Sequence, residues 1–113
     1  MPATNYADAT DFALIPALKQ RAPREIDAFL QFDHTAFRAD GVIPVKTREL
    51  IAVAVALTTQ CAYCIDVHTS RALRAGASRE ELAEAAVVAA AVRAGGALAH
   101  GLLSLKLADR AGL

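Results

Sequence analysis

Apolar positions in this chain recur at steps of three and four residues, the period of an α-helix with one buried face. The clearest case is REIDAFLQFDHTAFRA (24–39), where Ile26, Phe29, Leu30, Asp33 and Phe37 fall on one side. Pro23 suits an early helical position ahead of it, and Asp40-Gly41 reads as its stop. DFALIPALKQ (11–20), which contains Pro16, is expected to be a short helix with Asp11 as its cap. Residues 1–10 carry no periodicity and are expected to trail or to reach onto a neighbouring subunit.

VIPVKTRELIAVAVALTTQ (42–60) reads as a loop followed by a long helix with Pro44 near its first turn. Leu50, Ile51, Ala54, Leu57 and Thr58 form its stripe. AVAVAL alternates as a strand would, but it is alanine-rich and continuous with that stripe, so helix is the better reading. CAYCIDVHTSRALRA is expected to be a third helix stopped at Gly76. SREE then offers a capping box, Ser78 with Glu81, for a helix running from Arg79 to about Ala94. Gly95-Gly96 is expected to break that helix or to mark a close crossing, with ALAHGLLSLKLADR as a last helix. No strand–turn–strand signal, internal repeat or dividing linker appears. The fold class is therefore all-α, a helical bundle with short connections and a single domain over 1–113.

Composition sharpens this picture. The chain is 55% apolar but only 5% aromatic, and the excess is mostly alanine, which lets helices approach closely. Lysine plus arginine and aspartate plus glutamate both number 12. That balance leaves no basic excess for binding nucleic acid. Zero net charge beside so much apolar surface points to a homo-oligomer. The run AAVVAAAV (85–92) is far shorter than a membrane span, and no basic-then-apolar leader opens the sequence. A soluble cytoplasmic protein is expected, a setting in which two cysteines more often react or bind metal than form a structural disulfide.

Both cysteines lie in CAYCIDVH. On a helix, Cys61, Cys64 and His68 are three and four residues apart and share a face. Helix-start N–H groups favour a thiolate, and His68 lies one turn from Cys64, within reach of its proton. The segment thus holds a nucleophile, a second thiol able to resolve it, and a base. Two other readings stand beside this one. The thiols could be core packing with a histidine nearby by chance. They could also hold a structural zinc, but that needs four ligands, and the only other histidines, His34 and His100, have no ligand spacing. Glu49 sits in the first turn of the preceding helix, where a glutamate ordinarily compensates the helix dipole. His100 is a candidate for an interface or pocket position, His34 reads as an ordinary helix residue, and Arg71, Arg74 and Arg79 read as a solvated face.

The pattern ELIAVAVALTTQCAYCIDVH (49–68), followed by ALRAGAS and an EELAEA helix, resembles the alkylhydroperoxidase D-like (AhpD-like) group of the carboxymuconolactone decarboxylase family. The likeness runs from about Phe32 to Leu105. It implies an all-helical subunit, with the cysteine pair at the start of a central helix, assembled into dimers, trimers or hexamers. It also implies a thiol-dependent peroxidase. Cys64 matches the peroxide-attacking cysteine, Cys61 the resolving cysteine, and Glu49 and His68 the proton relay. The substrate implied is a hydroperoxide, the reductant a dithiol such as a lipoyl-bearing protein, and no cofactor or metal is called for. Two features depart from the group. Tyr63 stands where those peroxidases carry a relay histidine, and a phenol is a poor base near neutral pH. The chain is also about half their length. The decarboxylase branch typically lacks the cysteine pair, which disfavours the alternative of a decarboxylase-like enzyme; a non-catalytic redox-sensing oligomer is the other alternative. An arginine-lined pocket beside Glu49 with both thiols buried would favour the decarboxylase.

Overall fold

A computed structural model of the chain describes residues 6–112. A 3₁₀ segment (Ala9–Leu14) leads into α1 (Ile15–Arg21), α2 (Pro23–Ala36), α3 (Val45–Thr59), α4 (Ala62–Arg74) and α5 (Arg79–Arg110). No strand occurs among the described residues. The helix α3 is the centre, with α4 and α5 packed against it, while α1 packs on α2 and on the 3₁₀ segment.

The local chemistry explains where each element starts. Asp8, not Asp11, is the first cap: its side chain accepts from Thr10 N, and Asp11 reaches back to Asp8 N at 3.0 Å. Pro16 and Pro23 fall in the first turns of α1 and α2, where no intrahelical partner awaits their missing N–H. Hence Pro16 is accommodated at the start of α1. The alternating AVAVAL is helical, within α3.

The connection that matters most is that between α3 and α4. Gln60 closes α3 in the left-handed region at φ 57°, and Cys61 N donates back to Ala56 O at 3.1 Å. This tight reversal makes Cys61 the N-cap of α4. Gly76, at φ 96°, closes α4 in the same left-handed way, with Ala77 N on Ala72 O at 2.9 Å. The capping box at Ser78–Glu81 forms as expected. Glu81 also pairs with Lys46 at 3.1 Å, tying the start of α5 to the start of α3. The Ser78 N–H first, then Lys46, hold the Glu81 carboxyl below its ordinary range.

Two expectations need correction. Gly95-Gly96 neither breaks α5 nor packs closely: the helix runs through both, and a Cβ added at either would meet nothing within 4 Å. Each glycine costs about 1 kcal/mol relative to alanine, too little to stop a helix flanked by strong helix formers on both sides. The α3 stripe is also displaced. Its buried residues are Glu49, Val53 and Ala56, while Ile51 is exposed, because α3 is covered from two sides rather than along one face.

The enclosed apolar residues are small: Val53, Ala56, Ala72, Ala77 and Ala89. Continuity through the glycines gives α5 32 residues, long and apolar enough to cross a membrane by length and composition. Arg93, within that helix, donates to Thr58 O on α3.

Candidate functional site

The reversal at Gln60 and the packing of α4 on α3 bring together residues far apart in the chain. Glu49 projects from the first half of α3 and is 4% exposed, the only buried charged residue among those described. His68, two turns into α4, meets it with Nδ1 2.7 Å from Oε2. An ionised Glu49 only accepts, so it selects the tautomer with the ring hydrogen on Nδ1, in which the neutral imidazole carries its lone pair on Nε2. The imidazole is fixed from a second direction by Phe37 at the end of α2, stacked on it at 4.7 Å with planes 21° apart.

Cys61 and Cys64 are joined as a disulfide, with Cα atoms 5.2 Å apart. Cys61 Sγ also accepts from Cys64 N at 3.2 Å, the capping bond of α4. Only Cys64 of the pair lines the cavity beside His68, a space of about 450 Å³ walled by Phe37, Ile43, Ile51 and Val55. Arg48 also lines it. Its Nε donates to Ile43 O at 2.9 Å and its Nη1 to Ala36 O at 2.6 Å, so the guanidinium pins the α2–α3 connection. A Cβ at Gly41 would meet that guanidinium, so a side chain there would require Arg48 to shift.

Tyr63 points elsewhere. Its hydroxyl donates to Asp11 Oδ2 at 2.7 Å, and Phe12 meets its ring edge-on at 5.7 Å. The Asp11 carboxylate, through that bond first, raises the phenol above its ordinary 10.0. Tyr63 is therefore a neutral donor at physiological pH, docking the 3₁₀ segment onto the first turn of α4. A folded value above the unfolded one means that the stabilisation is full below pH 10.0 and is lost as pH rises through the higher folded value. An ultraviolet phenolate titration should show one tyrosine ionising late, and Asp11→Asn should move that transition back toward 10.0.

The other candidates lie apart from this cluster. His100 is exposed on α5 and His34 is exposed on α2; neither lines the Cys64 cavity. Arg71, Arg74 and Arg79 are exposed, with Arg74 donating to Ser70 Oγ at 3.1 Å. No group of three or more histidine, cysteine, aspartate or glutamate side chains among the described residues could hold a metal. Sequence reasoning missed Phe37 and Arg48 as neighbours of the site, and Asp11 as the partner of Tyr63. Phe37 had a signal, its place on the α2 stripe; Asp11 and Arg48 had none.

An all-helical subunit with a cysteine pair at the start of a central helix has the AhpD-like fold. The sequence profile of the carboxymuconolactone decarboxylase family matches residues 23–106, and the chain belongs to that family. It is 48% identical over 83 residues to uncharacterized protein 4 in the cox locus of Paracoccus denitrificans, covering 74% of each chain. An uncharacterized protein of Cupriavidus necator is 45% identical over 80 residues, 71% of this chain and 68% of that one. Among solved structures, the apo form of a carboxymuconolactone decarboxylase family protein from Legionella pneumophila superposes with a TM-score of 0.66 at 31% identity. That match covers 72% of this chain and 71% of the other.

Proposed function

We propose that the protein is a thiol-dependent peroxidase acting through Cys64 and Cys61, with Glu49 and His68 as proton relay. The observation that supports this reading best is the meeting of Cys64 with the Glu49-held His68 at one apolar cavity. In the reduced protein, His68 Nε2 takes the Cys64 proton. The thiolate attacks one peroxide oxygen; the O–O bond breaks and the alkoxide leaves with a proton from the relay as an alcohol. Cys64 is then a sulfenic acid. The Cys61 thiol displaces its hydroxyl as water and forms the disulfide. A dithiol reductant, such as a lipoyl group carried on a protein, returns both thiols by exchange and leaves as its own disulfide. In this reading the protein is a soluble, cytoplasmic homo-oligomer.

The test is thiol counting by mass spectrometry after one equivalent of an organic hydroperoxide is added to the reduced protein. Two thiols should disappear together, with one alcohol released and a Cys61–Cys64 linkage recovered in the peptide map. Persistence of both thiols would sink the proposal.

Arg48 favours a second reading, a decarboxylase-like enzyme holding a carboxylate substrate, because it is a cation in the cavity wall. Two of its nitrogens are already engaged by main-chain carbonyls, which weighs against that use. Decarboxylation needs neither thiol, so turnover of a lactone carboxylate by Cys64→Ser would select it.

A further inference from the structure

A single hydrogen bond is a pivot, and the bond from His68 Nδ1 to Glu49 leaves the imidazole able to turn about that axis. The Nε2 lone pair lies in the ring plane, so only some of those orientations direct it at the Cys64 thiol. What fixes the plane is Phe37. Its ring lies face to face with the imidazole, centroids 4.7 Å apart and planes inclined by 21°. Phe37, His68 and Cys64 line one cavity. The stack also suits the charge that proton transfer creates. A cation within about 6 Å of an aromatic face is attracted to it, which favours the imidazolium at this position.

Phe37 is itself held through one other side chain. It is the C-cap of α2, with its N–H shared among carbonyls of the last turn, Asp33 O at 3.2 Å among them. Helix ends fray unless something ties them. Arg48 ties this one. Its Nη1 donates to Ala36 O at 2.6 Å, the carbonyl of the peptide that carries Phe37 N, and its Nε donates to Ile43 O at 2.9 Å. One planar fork thus closes both ends of the α2–α3 connection, while Nη2 lies where a side chain on Gly41 would begin. The backbone of Arg48 is anchored in turn, its N–H donating to Pro44 O at 2.9 Å in the first turn of α3.

We propose that Phe37 and Arg48 are positioning residues for the thiol chemistry: Arg48 locks the α2–α3 connection, and the locked connection holds Phe37 against His68 so that Nε2 stays directed at Cys64. The proposal rests on the proton relay of the reading above. It gives Arg48 a use that leaves substrate untouched, in keeping with the engagement of its guanidinium by main-chain carbonyls.

Two readouts on the full chain test it. In the disulfide form, the His68 ring protons, identified by their loss in His68→Ala, should resonate upfield of those of the exposed His34 and His100, because they lie over the Phe37 face. Phe37→Leu should abolish that displacement and Phe37→Tyr should keep it. Arg48→Lys, whose single ammonium cannot reproduce the fork, should reduce it. In the reduced Cys61→Ser background, alkylation of Cys64 by iodoacetamide reports how readily the thiolate forms. It should slow roughly ten- to a hundredfold in Phe37→Leu, the scale of loss that a misplacement of about 1 Å brings. Phe37→Tyr should restore most of that rate, and Arg48→Lys should lose part of it. Should Phe37→Leu fail to fold, Arg48→Lys decides through the same two readouts. A His68→Ala protein alkylated as fast as its parent overturns the relay itself. Where His68 is needed, an unchanged rate or unmoved His68 protons in Phe37→Leu overturns the role of Phe37, as does equal slowing by leucine and tyrosine. An Arg48→Lys protein identical to its parent in both readouts overturns the role of Arg48.

Discussion

Replacing Cys64 with serine should abolish peroxide consumption, lowering the rate to that of buffer with the variant protein's remaining thiol. Replacing Cys61 should not abolish the first turnover. The expected asymmetry follows from the geometry of the α4 start. Cys64 faces the cavity with His68, whereas Cys61 is the N-cap, its sulfur turned back toward Cys64 N. Serine at 61 can still accept that capping bond, since its hydroxyl is a preferred N-cap group. The Cys61→Ser protein should therefore fold with α4 intact, react once with peroxide, and stop as a sulfenic acid on Cys64 because no thiol lies close enough to resolve it. Dimedone labelling with mass detection distinguishes the variants: one adduct on Cys64 in Cys61→Ser, none in Cys64→Ser. Stable capture on Cys61 instead would reverse the assignment of the two roles.

How much of this was legible in the residues follows from the range of the interactions. The caps and stripes that place α2, α4 and the start of α5 are local, so spacing alone finds them. Cys61, Cys64 and His68 belong to the same kind of information, one helix read at steps of three and four. Glu49 was not legible from spacing. Nothing in a first-turn glutamate says whether it faces solvent or a histidine nineteen positions on, and only the resemblance gave it a role. Its burial depends on Gln60 adopting a left-handed conformation that an L-residue rarely takes and that the sequence does not mark with glycine. The same limit hid Asp11 and Arg48, whose partners, Tyr63 and Ala36, lie 52 and 12 residues away. Gly95-Gly96 misled for the opposite reason. A local breaker signal was weighed without the long alanine and leucine flanks whose cooperativity carries the helix through it.

Glu49 is where removing one atom's charge should have the largest effect after the cysteines. In Glu49→Gln the amide oxygen can still accept from His68 Nδ1, so the ring should stay in place against Phe37. What is lost is the negative charge that stabilises the imidazolium formed when Nε2 takes the Cys64 proton. General-base assistance contributes about 10²–10⁴ in rate, and the variant should lose a substantial part of it. The loss should be seen as a slower reaction of Cys64 with hydroperoxide across the neutral range, with little change in stability. His68→Ala should behave differently. It leaves the Glu49 carboxylate, 5% exposed at its side chain, without its partner, a change that typically costs about 3–5 kcal/mol when a buried pair is broken from one side. Denaturant midpoints should therefore fall clearly in His68→Ala and hardly in Glu49→Gln, while peroxide reactivity falls in both. In the double variant, Glu49→Gln with His68→Ala, much of the stability should return, because the unpaired charge is gone, but none of the reactivity. Equal destabilisation by the two single changes would show that the pair acts as packing rather than as charge, and a Glu49→Gln protein with undiminished peroxide reactivity would remove Glu49 from the relay.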